Sequence, residues 1–330
     1  MIAQAPGGLG PGLLPDITAA IGRTPLVELS RAVRAAGVEG RVLAKLEYLN
    51  PGASRKDRVA LAMVEQAEQE GLIRPGDTIV ELTSGNTGTG LAIVSAVKGY
   101  RFVAVMSAGN SPERARMMRA LGAEVVIVPQ SGGGVVGQVS GHDLELVERT
   151  TERIVQERRA FRADQFALAA NVLAHERYTG PEILSQATPG FDVFCDFVGS
   201  AGSFSGCAAA FKAHSPAIAC YAIEPAGAAV LAGEEAREPG HPIQGGGYSR
   251  PHLPLFRRDL CDGFLQVTGD EARQGTRLLA RSEGIFSGFS AGANFAAAVR
   301  LLATTHRGKT AMIIVPSSGL KYLSTDLWEE

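Results

Sequence analysis

Four short segments of this chain carry residues whose types and spacing could do chemistry. The first is NPGASRKDR, residues 50–58, in which an Asn-Pro-Gly turn feeds a helix that opens near Ser54. Lys56 falls in the first turn of that helix, where the positive end of the dipole disfavours a lysine and favours its neighbour Asp57. That positive end, together with burial, lowers the pKa of an amine, and an amine must lose its proton before it can form a Schiff base. Taken alone, the segment reads rather as carrying a solvated surface lysine. The second is ELTSGNTGTG, residues 81–90. Here Thr83, Ser84 and Thr87 surround free N–H groups at a helix start, an anion cradle suited to a carboxylate. It has too few fixed positive charges for a polyphosphate. Asn86 adds both a donor and an acceptor.

The third segment is GSAGSFSG, residues 199–206, glycine and small hydroxyl residues leading into an apolar helix. This is a phosphate-binding pattern. It lacks the lysine of a P-loop and departs from the spacing of a dinucleotide fingerprint, so a monophosphate fits it better. The fourth is GFSAGAN, residues 288–294, where Ser290 would project one hydroxyl from a loop. Close helix packing is the alternative explanation for its small residues.

Loops of this kind need strands to hold them. Short apolar runs at 42–46, 78–81, 102–106, 124–128, 193–198, 217–223 and 311–315 read as strands, and segments such as 57–70, 111–121 and 202–212 read as amphipathic helices. Helices over 91–97 and 293–302 are expected to follow the second and fourth loops. Alternating strands and helices predict parallel sheets covered on both faces, with ligands bound beyond the carboxyl ends of strands. A length of 330 residues fits two domains.

The bulk numbers are those of an ordinary globular protein, with 45% hydrophobic and 20% charged residues. A net charge of −2 gives no basis for a nucleic-acid or anionic-membrane partner. Cys195, Cys207, Cys220 and Cys261 lack CxxC or metal-type spacing, so buried thiols are expected and no metal. The opening MIAQAPGGLGPGLLP is not a secretory signal but a Gly- and Pro-rich arm, and no run reaches the about 18 apolar residues of a membrane span. A cytoplasmic protein is expected. The segment SGGGVVGQVSGH, residues 131–142, reads as a surface loop, and the basic run 158–162 as a solvated helix face.

One lysine, one carboxylate cradle, one phosphate cradle and one isolated hydroxyl together meet the needs of pyridoxal phosphate. The chain resembles the cysteine synthase and cystathionine β-synthase family of fold-type II pyridoxal-phosphate enzymes. The likeness runs from IGRTPLV (21–27) to SSGLKYLST (317–325) through six blocks in the family's order: NPGASRKDR, TSGNTG, Glu113-Arg114 with ALGAEV, TGPEI, GSAGS and GFSAGA. It implies an α/β, tryptophan synthase β-like fold of two three-layer αβα domains with mostly parallel twisted sheets. Residues 1–20 and 50–165 would form a smaller, mobile domain that binds the substrate carboxylate. Residues 21–49 and 166–330 would form a larger domain that binds the cofactor phosphate.

The resemblance also assigns roles. Lys56 would be the Schiff-base lysine and the proton shuttle at Cα. Asn86 would meet the cofactor's 3-hydroxyl oxygen, and Gly199, Ser200, Ala201, Gly202 and Ser203 its phosphate. Ser290 would face the pyridine nitrogen, where a neutral hydroxyl makes the ring a weaker electron sink and favours prompt loss of a β-substituent. Thr83, Ser84, Asn86, Thr87 and Gln165 would bind the substrate. Lys56-Asp57-Arg58 resembles the β-replacement branch rather than the serine and threonine dehydratases. The implied reaction is that of a cysteine synthase, O-acetylserine plus sulfide giving cysteine and acetate by ping-pong kinetics, in a homodimer. Departures from the family pattern (Leu82, Ala201, Ala167, Leu168, and GGGYSRPHLP at 245–254) leave other small nucleophiles open, such as homocysteine or an amine. Arg250 and His252 could meet an anionic substrate, or be plain surface. A non-catalytic relative is the alternative from another class, and the presence of Lys56, Asn86 and Ser290 argues against it.

Overall fold

The computed structural model describes residues 13–131, 139, 141–238 and 240–329. Most of the expected arm and most of the 131–142 loop therefore lie outside the described residues. The strands are β1 (Leu26–Glu28), β2 (Arg41–Leu46), β3 (Thr78–Leu82), β4 (Arg101–Ser107), β5 (Glu124–Val128), β6 (Phe161–Arg162), β7 (Val193–Phe197), β8 (Ala219–Pro225), β9 (Gly263–Val267) and β10 (Thr310–Val315). They form one sheet in the order β1-β2-β10-β7-β8-β9 and another in the order β5-β4-β3-β6. Every pairing is parallel except β1 with β2. This is the α/β arrangement of mostly parallel sheets that the sequence predicts.

Both faces of each sheet are buried, which is why the central strands read as continuous apolar runs. In β10, Ala311, Ile313 and Val315 face one core, while Met312 and Ile314 face another. The helix Phe289–Ala303 packs on the first of these cores and the helix Gly202–His214 on the second. In β4, Val103 and Val105 face the core shared with the larger sheet, while Phe102, Ala104 and Met106 face a third core under the helices Lys56–Gln69 and Asn86–Lys98.

The sequence reading missed β1, β6 and β9. All three are edge strands; β1 and β6 have no buried residue and β9 only Val267, so they lack the buried run that marks a strand. Two helices begin earlier than expected, at Asn86 and Phe289, because their first turns are polar or small rather than apolar. The basic run 158–162 is not one helix face. Arg158 ends a helix, Arg159 turns with φ 50°, and Arg162 lies on β6 in an ion pair with Glu148.

The lysine helix is tied to the larger sheet by a buried group of charges. The Arg58 guanidinium donates to both carboxylate oxygens of Glu47 at 2.8 Å, and to Glu182 at 2.8 and 2.7 Å. Lys45 on β2 reaches Glu182 at 2.9 Å. Desolvation of the buried Glu47 carboxyl is outweighed by Arg58, which holds it below its usual range. Losing one partner of such a group strands a buried charge at a cost of about 3–5 kcal/mol.

Candidate active site

The loops after β2, β3, β7 and β10 converge at the carboxyl ends of their strands, and an isolated bridge between Ser54 and Ser317 links the first to the last. Lys56 opens its helix just after the N-cap residue Arg55, and its amine donates to Ser200 Oγ at 3.1 Å. Burial, and then the neighbouring Arg55 cation, lower the Lys56 pKa to about 7. Arg55 itself forks onto Asp196 at 2.8 and 2.7 Å. That buried carboxylate also accepts from Ser203 Oγ at 2.6 Å and Asn294 Nδ2 at 3.1 Å.

Residues 199–203 form the turn between β7 and the helix that begins at Gly202, whose first N–H groups have no intrahelical acceptor. Ala201 caps this helix in the left-handed region, φ 68°, a conformation that strains a side chain. A Cβ on Gly202 would overlap the Asn171 amide. Asn171 Nδ2 donates to Ser200 Oγ at 2.8 Å and to Gln165 O at 2.6 Å, while its Oδ1 is buried without a partner.

The β3 loop is held differently. Gly85 adopts φ 125°, and Thr83 Oγ1 accepts from the N–H groups of Gly85 and Gly88, both at 2.9 Å. The Thr83 hydroxyl thus organises the loop from within. Arg114 donates to Ser84 O at 2.8 Å, and the buried Lys321 amine donates to Asn86 Oδ1 at 2.9 Å and to Gly52 O at 2.6 Å. With its oxygen committed to Lys321, Asn86 can offer only its N–H donors elsewhere. Burial lowers the Lys321 pKa to about 7 against the pull of Asp57, whose own pKa burial raises to about 6. Thr87 Oγ1 donates to Gln165 Oε1 at 2.7 Å.

A cavity of about 500 Å³ gathers Lys56, Ser84, Asn86, Thr87, Gln165, Ser200 and Ser290, with Arg55, Phe166, Gln244 and Tyr248 among its other walls. Seven side chains singled out in sequence therefore line one pocket. Thr83, Gly199, Ala201, Gly202 and Ser203 do not line it; the Thr83 hydroxyl bonds inside its own loop, and that of Ser203 bonds Asp196 on β7. Ser290 lies within the first turn of a helix rather than on a loop. Arg250 is half-buried and stacks on the Phe166 ring, 5.0 Å from its centroid, whereas His252 is exposed. Sequence reasoning missed Arg55, Arg114, Asn171, Asp196 and Lys321. Arg55, Arg114 and Lys321 had a signal, since each sits in a block quoted for the family likeness.

The residues present fit pyridoxal phosphate. A lowered-pKa amine suits an aldehyde, and a helix N-terminus beside Ser200 suits a phosphate monoester. A Cβ at Gly202 would meet the Asn171 amide, so glycine is required at this turn, and the unpaired N–H groups of the helix start are of the kind that hold a phosphate.

Comparison with known proteins agrees with this geometry. Residues 17–317 match the family model described as pyridoxal-phosphate dependent enzyme. The chain is 41% identical to a cysteine synthase of Staphylococcus aureus (strain Mu50 / ATCC 700699) over 316 residues, covering 95% of this chain and 96% of that protein. Its fold is similar to that of O-acetyl serine sulfhydrylase isoform 3 from Entamoeba histolytica, with a TM-score of 0.89, 32% identity, and 99% and 95% of the two chains covered. It is also similar to an O-ureido-L-serine synthase, with a TM-score of 0.85, 37% identity and 96% of each chain covered.

Proposed function

The chain belongs to the pyridoxal-phosphate dependent enzymes, and from that premise we propose that it replaces the β-substituent of an activated serine, in the manner of a cysteine synthase: O-acetylserine plus sulfide to cysteine and acetate. The observation that carries the reading is the Lys56 amine, half-buried, weakly basic and 3.1 Å from Ser200 of the β7 loop, in a pocket also walled by the β3 loop. The similarity to a cysteine synthase over nearly the whole chain supports the same choice.

When bound, pyridoxal phosphate withdraws electrons from the substrate Cα and so lets a β-substituent leave. In our reading Lys56 holds the cofactor, and its amine takes the proton from Cα. The backbone of residues 199–203, with Ser200, grips the phosphate, and the N–H donors of Asn86 meet the ring oxygen. Ser290 offers its neutral hydroxyl to the ring nitrogen. Ser84 and Thr87, at the N-terminus of the helix Asn86–Lys98, bind the substrate carboxylate, with Gln165 orienting Thr87. The segment 50–165, with 1–20, is the smaller unit in this reading, and carboxylate binding draws it over the pocket to exclude water. Four buried cysteines without disulfides suit a reducing cytoplasm. The exposed Leu13, Ile17 and Tyr178 offer apolar surface for a second copy in a homodimer.

Borohydride reduction and peptide mapping should place the cofactor on Lys56, and Lys56→Ala should lower turnover at least a thousandfold while the protein still folds. A label on Lys45 or Lys321 instead would overturn the assignment. Because only the neutral amine reacts, the rate of cofactor uptake by apo-protein should rise with pH through about 7 and level off above it.

A further inference from the structure

Strand β7 reads Val-Phe-Cys-Asp-Phe, and all five residues are buried. Asp196, 0% exposed, is a carboxylate in a run that is otherwise apolar. Replacing a buried ion pair by apolar side chains of similar volume is often neutral or stabilising, so stability alone does not explain it. Its contacts point to a role. One guanidinium nitrogen of Arg55 donates to both of its oxygens, at 2.8 and 2.7 Å, and a second reaches Phe197 O at 3.3 Å. Ser203, in the first turn of the helix Gly202–His214, donates to Oδ2 at 2.6 Å. Asn294 donates to Oδ1 at 3.1 Å, from about one helical turn beyond Ser290.

Three pieces of the site therefore meet on one carboxylate: the start of the Lys56 helix, the turn 199–203 and the helix of Ser290. Arg55 is the N-cap residue of the Lys56 helix, and its own N–H donates to Pro316 O at 2.9 Å, just past β10. The charged residues that line the Lys56 pocket, among those described, are Arg55 and Lys56, and no carboxylate joins them. Asp196 supplies the counter-charge from behind the wall. The other groups near the amine bring none at neutral pH. Burial, and then Asp164, hold the Glu81 carboxyl on β3 well above its usual range. Burial, and then Arg55, hold His175 well below its own, and burial raises the Tyr248 phenol. Asp57 and Arg58, on the Lys56 helix, face Lys321 and the carboxylates of Glu47 and Glu182 instead.

We propose that Arg55 and Asp196 are positioning residues for Lys56: together they clamp its helix to the β7 turn, and the Asp196 carboxylate offsets the Arg55 cation beside the amine. The inference rests on the reading of Lys56 as the lysine that holds the cofactor. The two halves of the pair should then act in opposite directions. Without Asp196 the Arg55 cation is uncompensated, which disfavours a second positive charge, so Lys56 should lose its proton at lower pH. Without Arg55 the carboxylate faces the amine alone, and Lys56 should keep its proton to higher pH. Loosened packing that admitted water would instead move both variants upward, toward an ordinary lysine.

Competitive labelling of apo-protein with acetic anhydride, mapped to Lys56 across pH, reads this titration without cofactor. Asp196→Asn, which keeps the shape, should move the midpoint down by about one pH unit, and Arg55→Met should move it up by about one. The double variant should return the midpoint to about 7. Having lost the clamp, it should still hold pyridoxal phosphate about tenfold less tightly in equilibrium dialysis. If Asp196→Asn does not fold, Arg55→Met and the double variant isolate the same charge, and the double variant should titrate about one pH unit below the single one. Shifts of one sign in both single variants, or no shift, would overturn the proposal. So would a double variant that holds the cofactor as tightly as the unaltered protein. If Lys56 titrates as stated but borohydride fixes no cofactor to it, the reading of Lys56 falls and the effect of the pair on its amine stands.

Discussion

The two loops that we propose bind the cofactor phosphate and the substrate carboxylate are held by different means. The β7 loop is held by close-packed neighbours: Asn171 blocks any side chain at Gly202 and bonds Ser200, Ser203 bonds the Asp196 carboxylate, and Ala201 accepts a left-handed backbone to open the helix. The β3 loop is held by two cations from elsewhere in the chain, Arg114 on Ser84 O and Lys321 on Asn86 Oδ1. Packing contacts are short-ranged and leave a fixed shape, as a permanently bound phosphate requires. A charge on a long side chain can hold a loop and still let it shift when a substrate carboxylate arrives. The comparison suggests that one loop is built for a resident group and the other for a visitor.

The contrast can be broken most sharply at Lys321. Lys321→Met removes the cation from between Asp57 and Asn86 Oδ1 and should destabilise the apo-protein by about 3 kcal/mol, read by urea unfolding. In protein that folds, KM for the amino-acid donor should rise about tenfold while cofactor affinity changes less than threefold. The reverse pattern would mean that Lys321 serves the resident group. Gly202→Ala is the matching change on the other loop. Its methyl must displace Asn171, a strain of about 1–3 kcal/mol, and should weaken cofactor retention in equilibrium dialysis without altering the donor KM of the loaded enzyme.

A smaller effect with the opposite sign is expected at Ala201. Glycine relieves the left-handed strain, about 1–2 kcal/mol, and returns part of it as unfolded-chain freedom. Ala201→Gly should therefore stabilise the apo-protein by about 0.5 kcal/mol, seen as a small rise in Tm; a fall would show that the methyl has a packing role. The smallest change is expected at the surface segment beyond Tyr248. Arg250→Ala removes a cation stacked on Phe166 and should alter turnover less than threefold, and His252→Ala should alter nothing measurable. A tenfold loss confined to anionic donors would return Arg250 to substrate recognition.

What the sequence makes legible follows from locality. Lys56, the residues 83–87 and the residues 199–203 each lie between an apolar strand and a helix, so their setting is written in their neighbours. Arg55, Asn171 and Asp196 resemble any polar residue in sequence, because what makes them special is burial against distant chain: Arg55 meets Asp196 across 141 positions and Asn171 meets Ser200 across 29. Lys321 is the sharpest case. It meets Asn86 across 235 positions, and no local pattern marks a lysine as the one that fixes an amide's orientation. Edge strands β1, β6 and β9 were illegible for a related reason: with at most one buried residue each, they owe their form to the strand beside them.

The buried charges around Arg58 also bear on the order in which the molecule can be made. Arg58 and Glu182 are 124 positions apart, so at about 5–20 residues per second a ribosome delivers the second roughly 6–25 seconds after the first. Until then Arg58 has Glu47 alone, and Lys45 lacks its carboxylate. The strand that carries Lys45, β2, waits longer still, because its parallel neighbour β10 begins at Thr310. The helix that presents Lys56 is thus made well before the segments that lock it, and a nascent chain should stay sensitive to protease near residue 56 until residues 310–315 have been added.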